Sequence, residues 1–227
     1  YWNDPLVSRP ATVLTIHNLK FQGIHSRERI TDLLDLPDRF MHDGAVLKDG
    51  MPNFLMAGIV FADRVTTVSP TYAGEIMTDY YGEGLHELLQ SQAHKVSGIL
   101  NGIDDVEYDP ARDPALPSLY SPENCTDGKS SCKTALQQEL GLAVEASVPL
   151  ASMITRLTDQ KGVDLLLHVL DELLGDPVQL AILGTGDVQY ENALREFARR
   201  YPGKLAVRLE FNSPLSHRLY AGADLFL

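Results

Sequence analysis

The chain has 227 residues, 44% apolar and 22% charged, with a formal net charge of −12. That is enough apolar chain for one large or two small globular cores, and the acidic excess argues against broad contact with nucleic acid or an anionic membrane, which needs clustered Lys and Arg. No apolar run approaches the roughly 20 residues that span a bilayer and no leader pattern opens the chain, so a soluble, cytoplasmic protein is expected.

In chain order, apolar runs predict strands at residues 12–16, 64–68 and 96–100, with helices at 53–61, 70–80 and 84–92 between them. Ser69-Pro70 reads as an N-cap followed by proline at the first helical position. Residues 32–52 carry few helical features, and residues 104–131, rich in Pro, Asp and Ser, show little periodicity. A helix at 133–140 is closed by Gly141, as a C-terminal glycine should. Strands at 149–154, 179–183, 206–211 and 224–227 then alternate with helices at 162–174, 188–201 and 213–221.

This alternation predicts an α/β protein with largely parallel sheets. The domain change is expected near residues 97–101, dividing the chain into domains 1–98 and 99–227. Cys125 and Cys132 lack a partner pair for a zinc site and are expected as free thiols. The chain opens on Tyr1 without an initiator Met and closes on what reads as a strand beginning, so a fragment truncated at both ends is expected.

The most informative stretch is Arg156-Leu157-Thr158-Asp159-Gln160-Lys161-Gly162, which sets two cations between a buried strand and an amphipathic helix. Arg156 is expected at the strand's carboxyl end and Lys161 in the first helical turn, where unpaired N–H groups and the helix dipole add positive charge. Arginine, lysine and backbone amides would then converge on one anionic group, and a diphosphate fits that description. Two solvated cations are the other reading of the same residues.

Other motifs take similar places. His17 and Asn18 follow the strand at 12–16, and Asn101-Gly102 follows the strand at 96–100, at the carboxyl ends where open α/β sheets bind ligands. His17 is either a donor to a sugar or phosphoryl oxygen or a loop cap, and Asn-Gly is first of all a turn signal. Gly184-Thr185-Gly186-Asp187 permits close backbone approach at a strand end, but Gln189 replaces the third glycine of the dinucleotide fingerprint. With no Walker sequence either, hydride-transfer enzymes and P-loop NTPases are disfavoured, and Ser69, Ser216 and the scattered carboxylates show no nucleophile-elbow or metal-ligand spacing. His217-Arg218 reads as part of a surface helix or as a ligand contact.

With these pieces in order, the chain resembles the bacterial glycogen and starch synthases, ADP-glucose-dependent retaining glucosyltransferases. The resemblance runs through Thr15-Ile16-His17-Asn18-Leu19, Ala62-Asp63-Arg64-Val65-Thr66-Thr67-Val68-Ser69-Pro70-Thr71-Tyr72, Ile99-Leu100-Asn101-Gly102-Ile103-Asp104, the Arg156 to Gly162 segment and Gly184-Thr185-Gly186-Asp187. It implies two Rossmann-like domains with parallel sheets, the GT-B arrangement, and an active site in a cleft between them. Residues 1–98 would be the C-terminal part of the acceptor-side domain, and residues 99–227 the N-terminal part of the nucleotide-sugar-binding domain.

Carried over by position, Arg156 and Lys161 match the family's donor-diphosphate pair, and His17 and Asn101 match contacts to the transferred glucose, with Asn18 beside them. Phe211 stands where relatives place an aromatic near adenine, although a strand-end Phe is also a common core residue, and Gly184 lines the same cleft. The implied catalytic set is Arg156, Lys161 and His17, and the implied substrate-binding set is Asn101, Asn18, Gly184 and Phe211. The implied partners are ADP-glucose and an α-1,4-glucan, with no metal and no cofactor, since two cations and a helix terminus supply the positive charge.

The family's Lys-x-Gly-Gly-Leu loop and Glu-x-x-Gly-Leu segment would lie outside this sequence, so the fragment by itself is expected to be inactive. Two alternatives stay open at this stage: a same-fold glycosyltransferase using UDP-glucose, and a non-catalytic nucleotide- or glucan-binding module.

Overall fold

A computed structural model describes residues 10–34, 41 and 45–227. The chain forms two compact units, Tyr1–Ile103 and Asp104–Leu227.

In the first unit the elements run β1 (Val13–Ile16), α1 (Arg27–Leu34), β2 (Leu47–Lys48), β3 (Met51–Pro52), α2 (Phe54–Phe61), β4 (Arg64–Thr67), α3 (Pro70–Glu75), α4 (His86–Ser91) and β5 (Val96–Gly98). The parallel sheet has the order β1-β4-β5, so all three strands release their carboxyl ends on one edge. Ile16, Leu19, Met56, Ile59, Val65 and Leu89 fill one core, burying the apolar residues of β1, α2, β4 and α4 together. Burial of this kind stabilises by roughly 25 cal/mol per Å² removed from water. Thr67, buried in β4, satisfies its hydroxyl by donating to the Ile16 carbonyl at 2.8 Å.

Local chemistry sets the helix starts. Asn53 caps α2 by accepting from the Met56 N–H at 2.9 Å, and its side-chain amide donates to the buried Gln22 at 2.6 Å. Gln22 in turn donates to the Glu83 carbonyl at 2.8 Å, so the loop after β1 is tied to two other segments. Ser69 accepts from the Tyr72 N–H at 2.9 Å, with Pro70 opening α3 as expected from the sequence.

The second unit continues with α5 (Cys125–Leu140), β6 (Leu150–Ile154), α6 (Val163–Gly175), β7 (Gln179–Leu183), α7 (Val188–Arg200), β8 (Leu205–Arg208), α8 (Ser213–Gly222) and β9 (Leu225–Phe226). Its four strands are parallel in the order β8-β7-β6-β9. Side chains alternate along the strands: Ala151, Met153, Leu180, Ile182 and Leu205 pack with Leu166, Leu170 and Leu194 of α6 and α7. Leu150, Ala181, Leu183 and Ala206 pack with Leu136, Leu140, Leu215 and Leu219 of α5 and α8. A sheet covered by helices on both faces needs strands that are apolar throughout, and β7 is buried at every position.

Several expectations change. Helix α5 starts at Cys125, inside the segment read as aperiodic, because Gly128 lets the helix lie against Tyr120; a Cβ there would fall 2.2 Å from the Tyr120 Cβ. Residues 32–52 carry the β2–β3 hairpin, whose Asp49 and Gly50 have φ of 53° and 75°, the left-handed pair a two-residue hairpin turn requires. Helix α1, Arg27–Leu34, is a further element that the apolar spacing does not predict. Residues 35–40 and 42–44 lie outside the described set. The strands expected to reach Leu100 and Phe211 end at Gly98 and Arg208. Both cysteines are free, Cys132 buried and Cys125 exposed.

Candidate functional site

In the order β8-β7-β6-β9 the chain first winds outward from β6 through β7 to β8, then crosses back to place β9 on the other side of β6. Ligands of open α/β sheets sit beyond the carboxyl ends of the strands near such a reversal. There the second unit has a cavity of about 340 Å³, within the range of small-molecule sites. It is lined by Thr155 and Arg156 after β6, Gly184 after β7, Phe211 and Asn212 after β8, Ser216 and Tyr220 of α8, and Tyr108.

The glycines shape its floor. Beyond β6 and β7 the backbones stay paired, with Thr155 N–H donating to Leu183, Leu157 N–H to Thr185 and Asp187 N–H to Leu157. A Cβ on Gly184 would lie 1.8 Å from the Thr155 carbonyl oxygen, and one on Gly186 would lie 2.2 Å from that of Leu157. The close approach that these glycines permit is therefore by the 155–157 backbone. Past it, a 3₁₀ turn over Asp159–Lys161 leads to Gly162, whose φ of 70° caps α6. Lys161 thus lies in that turn, one residue before the cap, and not in the first turn of α6 as expected.

Arg156 is exposed and, among the described residues, its side chain has no hydrogen-bond or ion-pair partner, so its charge is free for a ligand. Of the other expected residues, Gly184 and Phe211 line the cavity, and Lys161 is exposed outside its lining. Phe211 is 95% exposed, which removes the core alternative for it. Helix α8 begins at the cavity, capped by Asn212, which accepts from the Leu215 N–H at 2.9 Å.

His17, Asn18 and Asn101 belong to the first unit. His17 is exposed directly after β1, and Asn101 is exposed three residues past the end of β5, on the same sheet edge. Asn18 is half-buried and accepts from the Lys20 N–H at 3.0 Å, a local turn that shapes the loop after His17.

Sequence reasoning missed Tyr108, Asp113 and the burial of His217. His217 is 7% exposed, with Nδ1 2.6 Å from Asp113 and its ring stacked on Tyr108 at 4.5 Å. The surface-helix expectation for this residue is corrected, because the segment before α5 folds over it. Arg218 beside it pairs with both carboxylate oxygens of Glu139, each at 2.7 Å. Asp104 accepts from the Glu107 and Val106 N–H groups, which hold its carboxyl below the usual carboxylate range and fix the turn before Tyr108. Burial, then the Glu107 carboxylate, pushes the Tyr108 phenol up, so it stays protonated at neutral pH. Among the described residues no cluster of His, Cys, Asp and Glu could hold a metal ion, and no helix is long and apolar enough to cross a membrane.

Residues 1–91 match the family described as the starch synthase catalytic domain. A glycogen synthase of Streptococcus equi subsp. equi is 47% identical over 216 residues, 95% of this chain and 45% of that protein. One from an Anaeromyxobacter species is 49% identical over 225 residues, 99% of this chain and 47% of that protein. Among solved structures, the catalytic domain of starch synthase IV from Arabidopsis thaliana bound to ADP and acarbose superposes with a TM-score of 0.87 at 32% identity, covering 100% of this chain and 48% of that one. Anabaena HepE in complex with UDP and glucose shares the fold, with a TM-score of 0.50 at 18% identity over 97% of this chain and 46% of that one. The chain spans about half the length of the curated relatives it matches. Along nearly its whole length it is similar to the glycogen and starch synthases, and its fold is that of the GT-B glycosyltransferases.

Proposed function

We propose that the protein carrying this chain is a glycogen or starch synthase, moving glucose from ADP-glucose to the non-reducing end of an α-1,4-glucan with retention of configuration. The observation that carries the reading is the cavity beyond the strands of the second unit, with the uncommitted Arg156 at one strand end and the exposed Phe211 at another. A nucleoside diphosphate has the matching parts, a dianionic end and a flat base. The likeness to a starch synthase solved with ADP and acarbose supports the same donor and a glucan acceptor.

In this reading the anomeric C–O bond breaks as negative charge grows on the leaving diphosphate. Arg156, Lys161 and the free N–H groups opening α6 stabilise that charge more in the transition state than in the ground state. His17 and Asn101, with Asn18 shaping the loop, are assigned to the glucose; Gly184 and Phe211 are assigned to the nucleotide. Residues 1–98 then belong to the acceptor-side domain and residues 99–227 to the donor-binding domain of a cytoplasmic enzyme.

Glucosyl transfer from ADP-glucose to maltohexaose by the full-length protein tests the assignment. Arg156→Ala lowers turnover on the order of 10² to 10³, the loss typical of one preorganised charge donor, with folding nearly unchanged because the residue is exposed. Retained turnover would overturn the role of Arg156, and absence of transfer by the wild type would overturn the reading.

A further inference from the structure

We infer that Tyr108 is a fixed wall of the donor pocket that meets the nucleoside, and that the buried Asp113–His217 pair is the device that holds it in place. The inference rests on the reading of the cavity as the donor site.

Tyr108 reaches the cavity from outside the sheet, on the segment before α5. Such a segment has no strand ladder to order it, yet both the backbone and the ring of Tyr108 are restrained. The Asp104 carboxylate accepts from the N–H groups of Val106 and Glu107 at 3.0 and 2.8 Å, and the Tyr108 N–H donates to the Asp104 carbonyl at 3.2 Å. The ring lies on the His217 imidazole with centroids 4.5 Å apart and planes 18° apart, and it meets Tyr220 edge-on at 5.9 Å.

His217 cannot turn away from this stack. Its Nδ1 lies 2.6 Å from the Asp113 carboxylate, and the two residues are 7% and 6% exposed. The other oxygen of Asp113 accepts from the Ala115 N–H at 2.8 Å, which anchors the carboxylate to its own turn, and Glu107 faces His217 Nε2 at 3.8 Å. A buried ionisable pair contributes little net stability compared with apolar packing, so what this pair supplies is geometry. It joins the 104–113 segment to α8, the helix whose first turn also borders the cavity.

Tyr108 nevertheless stays 48% exposed and lines the cavity. A rigid aromatic face suits the base of a nucleotide; the diphosphate is served by Arg156. This makes Tyr108 a binding residue, and His217 and Asp113 positioning residues.

Calorimetric titration with ADP and with inorganic pyrophosphate, which has no nucleoside, separates this role from a merely structural one. Tyr108→Leu weakens ADP about tenfold, in the range of one base–aromatic contact, and leaves pyrophosphate binding unchanged; Tyr108→Phe binds both as wild type does. His217→Ala shifts ADP alone in the same direction. If it fails to fold in a thermal melt, the Leu and Phe variants still decide. Wild-type ADP affinity in Tyr108→Leu, or equal losses for ADP and pyrophosphate, would overturn the inference. An Arg156→Ala protein that still binds both ligands as wild type does would instead overturn the donor-site reading itself, and the inference with it.

Discussion

Gly184 and Thr155 touch through their backbones at the edge of the cavity: a Cβ on Gly184 would lie 1.8 Å from the Thr155 carbonyl oxygen. The obstacle is backbone hydrogen-bonded into the sheet and not the tip of a side chain, so neither residue can step aside. Gly184→Ala must push the ends of β6 and β7 apart, an overpacking that costs about 3 kcal/mol or more. A fall in thermal midpoint together with weaker ADP binding is the expected outcome, and an unchanged midpoint would contradict the packing account.

The buried Asn53 both caps α2 and donates to Gln22. Asn53→Ala loses a cap worth about 1 kcal/mol and leaves a buried acceptor on Gln22 costing about 1–3 kcal/mol. Denaturant unfolding should show a total loss of roughly 3 kcal/mol. Asn53→Asp keeps the cap acceptor but buries a carboxylate against the Gln22 oxygen, so it should lose at least as much.

Phe211 is 95% exposed, so Phe211→Ala leaves stability within about 0.5 kcal/mol of wild type. If it stacks on the base as proposed, ADP binding weakens by about 1–2 kcal/mol, roughly tenfold. Equal ADP affinity in variant and wild type would remove Phe211 from the site.

Acid should loosen the segment that carries Tyr108. The Asp104 carboxyl is held low by the Glu107 and Val106 amides, and that of Asp109 by the Ala111 amide and then Arg112. Because the folded values lie below the unfolded ones, their stabilising effect is present in full above the ordinary carboxylate value of 3.8 and is lost as pH falls through the folded values. Hydrogen exchange of the Val106, Glu107 and Ala111 amides at equal extent of intrinsic exchange should show protection at pH 5 that is lost only as pH falls below the ordinary carboxylate value of 3.8. Protection that persists into strong acid would contradict the assignment of these turns.

How much could be read beforehand depended on the range of the forces. Strands β6 and β7 and helices α6 and α7 were legible because their apolar residues recur at the period of the element, and Gly141 and Ser69-Pro70 announced their caps directly. The hairpin at Asp49-Gly50 carries a turn signal of its own, but strands of two residues each leave no alternation to read. Helix α1 had Ser26 as a cap and a buried Ile30, but its polar composition hid the apolar stripe. Arg156 and Gly184 stood out because open sheets bind ligands through residues just past strand ends, whereas Phe211 entered only through the family resemblance. Tyr108 and His217 did neither, because their contact joins segments more than 100 residues apart, and no local period records such a pairing.

Titration of this chain with ADP by calorimetry, comparing wild type with the Arg156→Ala/Lys161→Ala double variant, tests the donor-site claim most directly. Saturable binding that favours ADP over UDP and disappears in the folded double variant is the predicted result. Binding that survives removal of both cations, or a folded wild type that binds no nucleotide, would contradict the claim.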